Sequence, residues 1–96
     1  MTALATQTFQ KTKSLTILQR IAKKDKAAVK NCVDTYGNFI WALARKFTAS
    51  REEAEAAAQE IFIDIWRYAE QVHPNQPAEH ILIGLIARRR LIKLLQ

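Results

Sequence analysis

Three sets of side chains in this chain could take part in recognition chemistry. The first is a run of acids, Glu52, Glu53, Glu55, Glu60, Asp64 and Glu70. The second is Arg88, Arg89, Arg90 and Lys93, close to the last residues. The third is the polar string His73, Asn75 and Gln76 around Pro74, which follows Trp66 and Tyr68. Lys or Arg set against phosphate releases condensed counterions, so the second set predicts salt-sensitive binding to a polyanion. Arg89 and Lys93, four apart, share one side of a helix, whereas all four cations cannot face one groove. Holding an unstacked base takes hydrogen-bonding groups beside a stacking ring, which His73, Asn75 and Gln76 could supply with Tyr68 or Trp66.

Other chemistries fit poorly. His73 and His80 stand seven apart across a proline-broken stretch, and no cysteine or carboxylate pair completes a zinc set, so neither metal nor cofactor is expected. The acids lie on one helix surface with no cleft to shift their proton affinities, and the chain reads as a non-enzyme. Cys32 is the single cysteine, which excludes an internal disulfide. It falls on an apolar stripe and reads as a small buried hydrophobe.

The elements that must position these groups are helices. With 96 residues, 49% of them hydrophobic and 25% charged, the composition is that of one small globular domain. Two glycines and two prolines are too few for a turn-rich sandwich or barrel. No apolar run approaches the ~20 residues of a membrane span, so no membrane partner is expected. The lone Cys32 fits a reducing compartment, and a cytoplasmic location is the expectation. The net charge of +6 is unevenly placed. Residues 1–49 hold nine Lys/Arg against Asp25 and Asp34, residues 50–70 six acids against Arg51 and Arg67, and residues 71–96 four cations against Glu79. An acidic block between two basic ones suits two different partners, or simply solvated helix faces.

Residues 1–13 lack periodicity and read as a flexible tail ahead of a helical domain over 14–96. Ser14 is placed to cap a short helix to about Lys23, and Asp25 to cap a longer one. In the latter, Val29, Cys32, Val33, Tyr36, Ile40, Leu43 and Phe47 form an apolar stripe, interrupted by Gly37. Ser50-Arg51-Glu52-Glu53 is a capping box opening a third helix, with Ala54, Ala58, Ile61, Phe62, Ile65 and Ala69 inward. The short connection Thr48–Ser50 makes those two helices an antiparallel hairpin. Pro77 is placed to start a last helix, whose apolar end, Leu91 to Leu95, carries no C-cap, as if continued or covered. The expected fold is all-α, a compact bundle of three to four helices. At 100° per residue, Glu52, Ala56, Gln59, Glu60, Ile63, Arg67 and Glu70 point away from the third helix's apolar stripe. Ile63 among Gln59, Glu60 and Trp66 has the composition of a docking surface with a polar rim, although one exposed isoleucine can also be ordinary surface.

The string from Glu53 to Trp66, and above all Gln59-Glu60-Ile61-Phe62 with Trp66, resembles the signature of conserved region two in bacterial RNA polymerase sigma factors of the extracytoplasmic-function type. Ile86-Ala87-Arg88 is similar to that family's Ile-Ala-Arg-Asn segment, and Leu18 to Tyr36 to its opening helices. The resemblance implies a transcription initiation module. Its third helix would dock on the clamp helices of the largest subunit of core polymerase through Glu52, Gln59, Glu60, Ile63 and Arg67. Tyr68, His73, Asn75, Gln76, Arg88, Arg89, Arg90 and Lys93 would engage promoter DNA at the −10 element, and an anti-sigma factor is a further candidate partner. Phe62 and Ile65 would be core. The chain departs from the family pattern at Ala56, Arg89 and Lys93, where Asp, Asn and Asp are usual, and at Leu82, where an aromatic is. Nor does it contain the second helix-turn-helix domain that reads the −35 element. Those departures, with the nearly all-round apolar last helix, leave a second reading: a degenerate sigma-like helical interaction module, regulator-binding or self-associating, without DNA activity.

Overall fold

A computed structural model describes residues 15–71 and 78–95. Among them are four helices and no strand: α1 (Ile17–Ala22), α2 (Lys26–Phe47), α3 (Arg51–Ala69) and α4 (Glu79–Leu94). The all-α bundle expected from periodicity is present. Each start and stop has a local cause. Thr16, not Ser14, caps α1: its hydroxyl accepts from the Gln19 N–H, and the Gln19 side chain accepts from the Thr16 N–H, a reciprocal pair. Ser14 lies outside the described residues. Asp25 caps α2 as expected, accepting from the Ala27 N–H and from the Arg20 guanidinium. Lys24, between α1 and α2, adopts a left-handed conformation with φ 68°, a strain of order 1 kcal/mol for a residue with a Cβ.

α2 ends where Thr48 turns extended and its hydroxyl donates to the Ala44 carbonyl at 2.7 Å. Ser50 then caps α3 by accepting from the Glu53 N–H. Glu53 reaches back one residue further than a standard capping box, accepting from the Ala49 N–H rather than that of Ser50. The last helix begins later than Pro77: Ala78 is its N-cap, without a side-chain cap, and Glu79 is its first residue.

The helices alternate in direction. Lys24, before α2, meets Glu70, after α3, at 3.7 Å, which fixes the antiparallel hairpin. α4 returns antiparallel to α3, so that Leu94 and Leu95 close on Lys46, Phe47 and Glu53 at the hairpin turn. The core between them is built from Leu18, Cys32, Ile40, Ile61, Ile65, Ile83, Leu91 and several alanines. Here the stripe read on α2 is corrected. Cys32 and Ile40 are buried, but Val29, Val33 and Phe47 are exposed, and Ala28 and Ala44 are fully buried in their stead. Burial on α2 follows its contacts with the other three helices, which the spacing of large apolar residues within one helix does not reveal. Cys32 is buried, and desolvation pushes its thiol up to about 12, which leaves it an inert core residue.

At the lower end of the bundle a single carboxylate joins three helices. Glu79 of α4 accepts from the Leu18 N–H of α1 at 2.7 Å and from the Tyr36 hydroxyl of α2 at 2.6 Å. The first bond satisfies one of α1's unpaired N-terminal amides. The second, with burial, holds the Tyr36 phenol well above its ordinary value.

Gly37 lies inside α2 with helical geometry and open space where a side chain would stand; only Val33 Cγ1, at 3.8 Å, comes near an added Cβ. Gly37→Ala should therefore stabilise the fold by about 0.5–1 kcal/mol, read as a rise of roughly 3–6 °C in the midpoint of a circular-dichroism melt.

Candidate docking face and nucleic-acid interface

α3 separates its side chains sharply. Ala54, Ala57, Ile61, Ile65 and Ala69 are buried, whereas Glu52, Ala56, Gln59, Glu60, Ile63, Arg67 and Glu70 are exposed. The five side chains expected on a docking face, Glu52, Gln59, Glu60, Ile63 and Arg67, thus share one solvent-facing strip. Ile63 is 39% exposed within it. Phe62 is half-buried rather than core. Its ring stacks on Trp66 with centroids 5.6 Å apart, and the pair forms an aromatic shoulder between the exposed strip and the interior. Trp41 packs half-buried against the core with the Arg45 guanidinium 5.7 Å above its ring.

The basic residues of α4 divide by environment. Arg90 is committed across the helix pair: its Nε and Nη2 donate to the two Asp64 carboxylate oxygens, both at 2.7 Å, and Nη1 lies 3.8 Å from Glu60. Both side chains of the Arg90–Asp64 pair are only about a fifth exposed. The guanidinium beside Asp64 holds its carboxyl below the usual carboxylate range, and Asp64 in turn raises Arg90. Arg90 therefore clamps α4 to α3 instead of standing with the exposed cations. Arg88, Arg89 and Lys93 are exposed. Arg89 and Lys93, with Asp64, Arg67, Tyr68, Gln71, Ile86 and Arg90, line a surface groove of about 250 Å³ where the end of α3 meets α4. Four cations and one acid give that groove positive character beside the half-buried Tyr68 ring. His73, Asn75 and Gln76 lie outside the described residues.

Two functional contacts were not legible beforehand. The Asp64–Arg90 pair joins residues 26 apart, and nothing in one helix's periodicity reveals a partner on another. Glu79 read only as the single acid in a basic block, yet it binds two other helices. Among the described residues no group of three His, Cys, Asp or Glu converges as a metal site, and no helix is long and apolar enough to cross a membrane.

A family model described as Sigma-70 region 2 matches residues 32–96. The match takes in most of α2 and all of α3 and α4, while α1 precedes it. Neither curated proteins nor solved structures give a match.

The clamp also sets a pH dependence. A carboxylate whose folded value is depressed stabilises the fold above its ordinary value of 3.8, and that stabilisation is lost as pH falls through the folded value. Stability should be flat above about pH 5 and decline below about pH 4. Asp64→Asn should cost about 1–2 kcal/mol at pH 7 and flatten part of that acid limb, read by urea unfolding at pH 3.5, 5 and 7.

Proposed function

The chain belongs to the sigma-70 region 2 family, transcription initiation domains that act with RNA polymerase, and on that premise we propose how its two surfaces divide the work. The α3 strip of Glu52, Gln59, Glu60, Ile63 and Arg67 docks on the clamp helices of core polymerase. Arg89 and Lys93, with Tyr68 beside them, engage the promoter −10 region as single-stranded DNA. Asp64 and Arg90 hold the two surfaces at a fixed angle. The observation that carries this reading is the exposure of the α3 strip beside the positive groove: one helix pair presents a mixed polar–apolar face to a protein and a cationic one to a nucleic acid.

The substitutions at Ala56 and Lys93 have distinct consequences. An alanine at 56 removes the acceptor usual at that position, so Glu52, Gln59, Glu60, Ile63 and Arg67 carry the contact. A lysine at 93 adds phosphate attraction without base discrimination, because a phosphate contact positions and does not specify. The extracytoplasmic-function subtype belongs to the same proposal, supported by the Gln59-Glu60 signature with Phe62 and Trp66. His73, Asn75 and Gln76 complete it as the base-holding loop, on the family resemblance alone.

Two measurements test the division. Ile63→Ser should weaken binding to core polymerase by about tenfold or more in a pull-down titration while moving the melting midpoint little, since the side chain is a central contact of the strip and not a core residue. Unchanged polymerase affinity would remove the docking half of the proposal. Replacing Arg89 and Lys93 together by alanine should weaken binding to single-stranded −10-like DNA at low salt. It should also make the slope of log affinity against log salt shallower by about 1.4, because each lost phosphate contact removes about 0.7 on a single strand. An unchanged slope would place the phosphate contacts elsewhere.

A further inference from the structure

The face of α4 turned away from the bundle carries Ile81, Leu85, Arg88, Ile92 and Leu95, at spacings of four, three, four and three. At 100° per residue these five lie within about 40° of one line along the helix. The apolar members are among the most solvent-exposed large hydrophobic residues in the molecule, at 48%, 55%, 59% and 61%. A 4-3-4-3 line of Ile and Leu is the seam by which one helix receives another, each side chain seated among four of its partner's. Here the seam is left unpartnered, with a charge at its middle.

The surroundings of the seam decide what fits it. Arg88 stands at the central position. Its guanidinium folds back over Gly84, with Nη1 2.8 Å from where a Cβ would sit, and the Phe39 ring of α2 lies on the same spot. No acid is paired with it among the described residues. Arg89 and Lys93 run along one edge of the seam, and the exposed Phe39 widens the apolar surface on the other. A second copy of this chain would set Arg88 against Arg88 whether the two helices ran parallel or antiparallel, because Arg88 is the midpoint of the five. An anionic bilayer would have to take an arginine into the centre of the inserted stripe, and the stripe contains no tryptophan. A nucleic-acid backbone has no use for four exposed aliphatic side chains.

We propose that the outer face of α4 is a docking seam for an acidic amphipathic helix of another protein. That helix presents aliphatic residues at heptad spacing, a carboxylate opposite Arg88 and further acids against Arg89 and Lys93, so that it and single-stranded DNA cannot hold those two cations at once. Arg88 swings off Gly84 to meet the carboxylate. The charge at the centre sets the partner's register and excludes self-pairing, as a single polar seam residue does in coiled coils. This surface lies on a different helix from the α3 strip, so the inference stands or falls apart from polymerase docking.

The probe is a synthetic helical peptide of about three heptads, with leucines at seam positions and glutamates at the centre and flanks. A second peptide differs only by lysine at the centre. Titrated into the full chain, the glutamate peptide should perturb the amide resonances of Ile81 to Leu95 and bind at least tenfold more tightly than the lysine peptide. Arg88→Glu should invert that order, and Leu85→Ser should abolish binding. Ile63→Ser should leave it unchanged. Should Leu85→Ser fail to fold, the Arg88→Glu inversion alone decides. Equal affinity for both peptides, or perturbation mapping away from α4, overturns the proposal. So does a chain that sediments as a dimer, or binds phosphatidylserine vesicles, through Leu85 while ignoring the peptides.

Discussion

Asp64 and Arg90 meet in a two-bond contact across α3 and α4, and the relation between the molecule's surfaces follows from it. Two short charge-assisted hydrogen bonds in a planar fork allow one orientation of the guanidinium, so the contact specifies an angle as well as contributing energy. Because Asp64 leaves α3 next to Ile63, and Arg90 leaves α4 next to Arg89, the docking strip and the cationic groove are each one residue away from the clamp. A lysine at position 90 would keep the charge but lose the fork, and with it the constraint on how α4 is turned. The partial burial of the pair matters as well. Fully buried ion pairs can lose more in desolvation than they gain, whereas a pair about a fifth exposed keeps some hydration while leaving water little room to displace either partner.

Glu79 does similar work at the other end of the bundle. α1 is six residues long, far below the length at which a helix is stable alone, so it persists only through tertiary contacts. Leu18 supplies the apolar contact and the Glu79 carboxylate the polar one, by accepting an amide that would otherwise lack a partner. The same carboxylate accepts from Tyr36 on α2. One acid at the start of α4 therefore determines where α1 sits and how α2 and α4 meet.

What could be read in the sequence and what could not divide along physical lines. Local rules were sound where the cause was local. Asp25 as a cap, Ser50 as a cap, the hairpin at Thr48–Ser50, and the division of α3 into buried Ile61 and Ile65 against exposed Gln59, Glu60 and Ile63 all follow from spacing within a single helix. Errors arose where another helix decides. Val29 and Val33, placed inside by their spacing, are exposed, and Ala28 and Ala44 are buried against the other helices instead. Phe62, expected in the core, is half-buried, with its ring on Trp66 at the margin. Arg90 is grouped by sequence with Arg88, Arg89 and Lys93 as a candidate DNA contact. Only a carboxylate arriving from α3 distinguishes it from Arg88 and Arg89, and no pattern within α4 marks that difference. The polar residues of 72–77 rest on family resemblance and lie outside the described structure.

The small core residues also account for the seam on α4. Six of the fourteen core hydrophobics among the described residues are alanines, which remove little area from water apiece. A core so rich in alanine houses only part of the Ile, Leu and Phe that the composition supplies. The surplus has to appear on the surface. It is not scattered: α3 shows a single isoleucine, α2 the Val29–Val33 pair with Phe39 and Phe47 apart from it, and α4 a line broken only by Arg88. Solvation alone would favour spreading such groups out, since contiguous apolar surface invites aggregation. Concentrating them on one helix and placing Arg88 in their midst blunts self-association, while leaving the line available to a partner that brings the opposite charge.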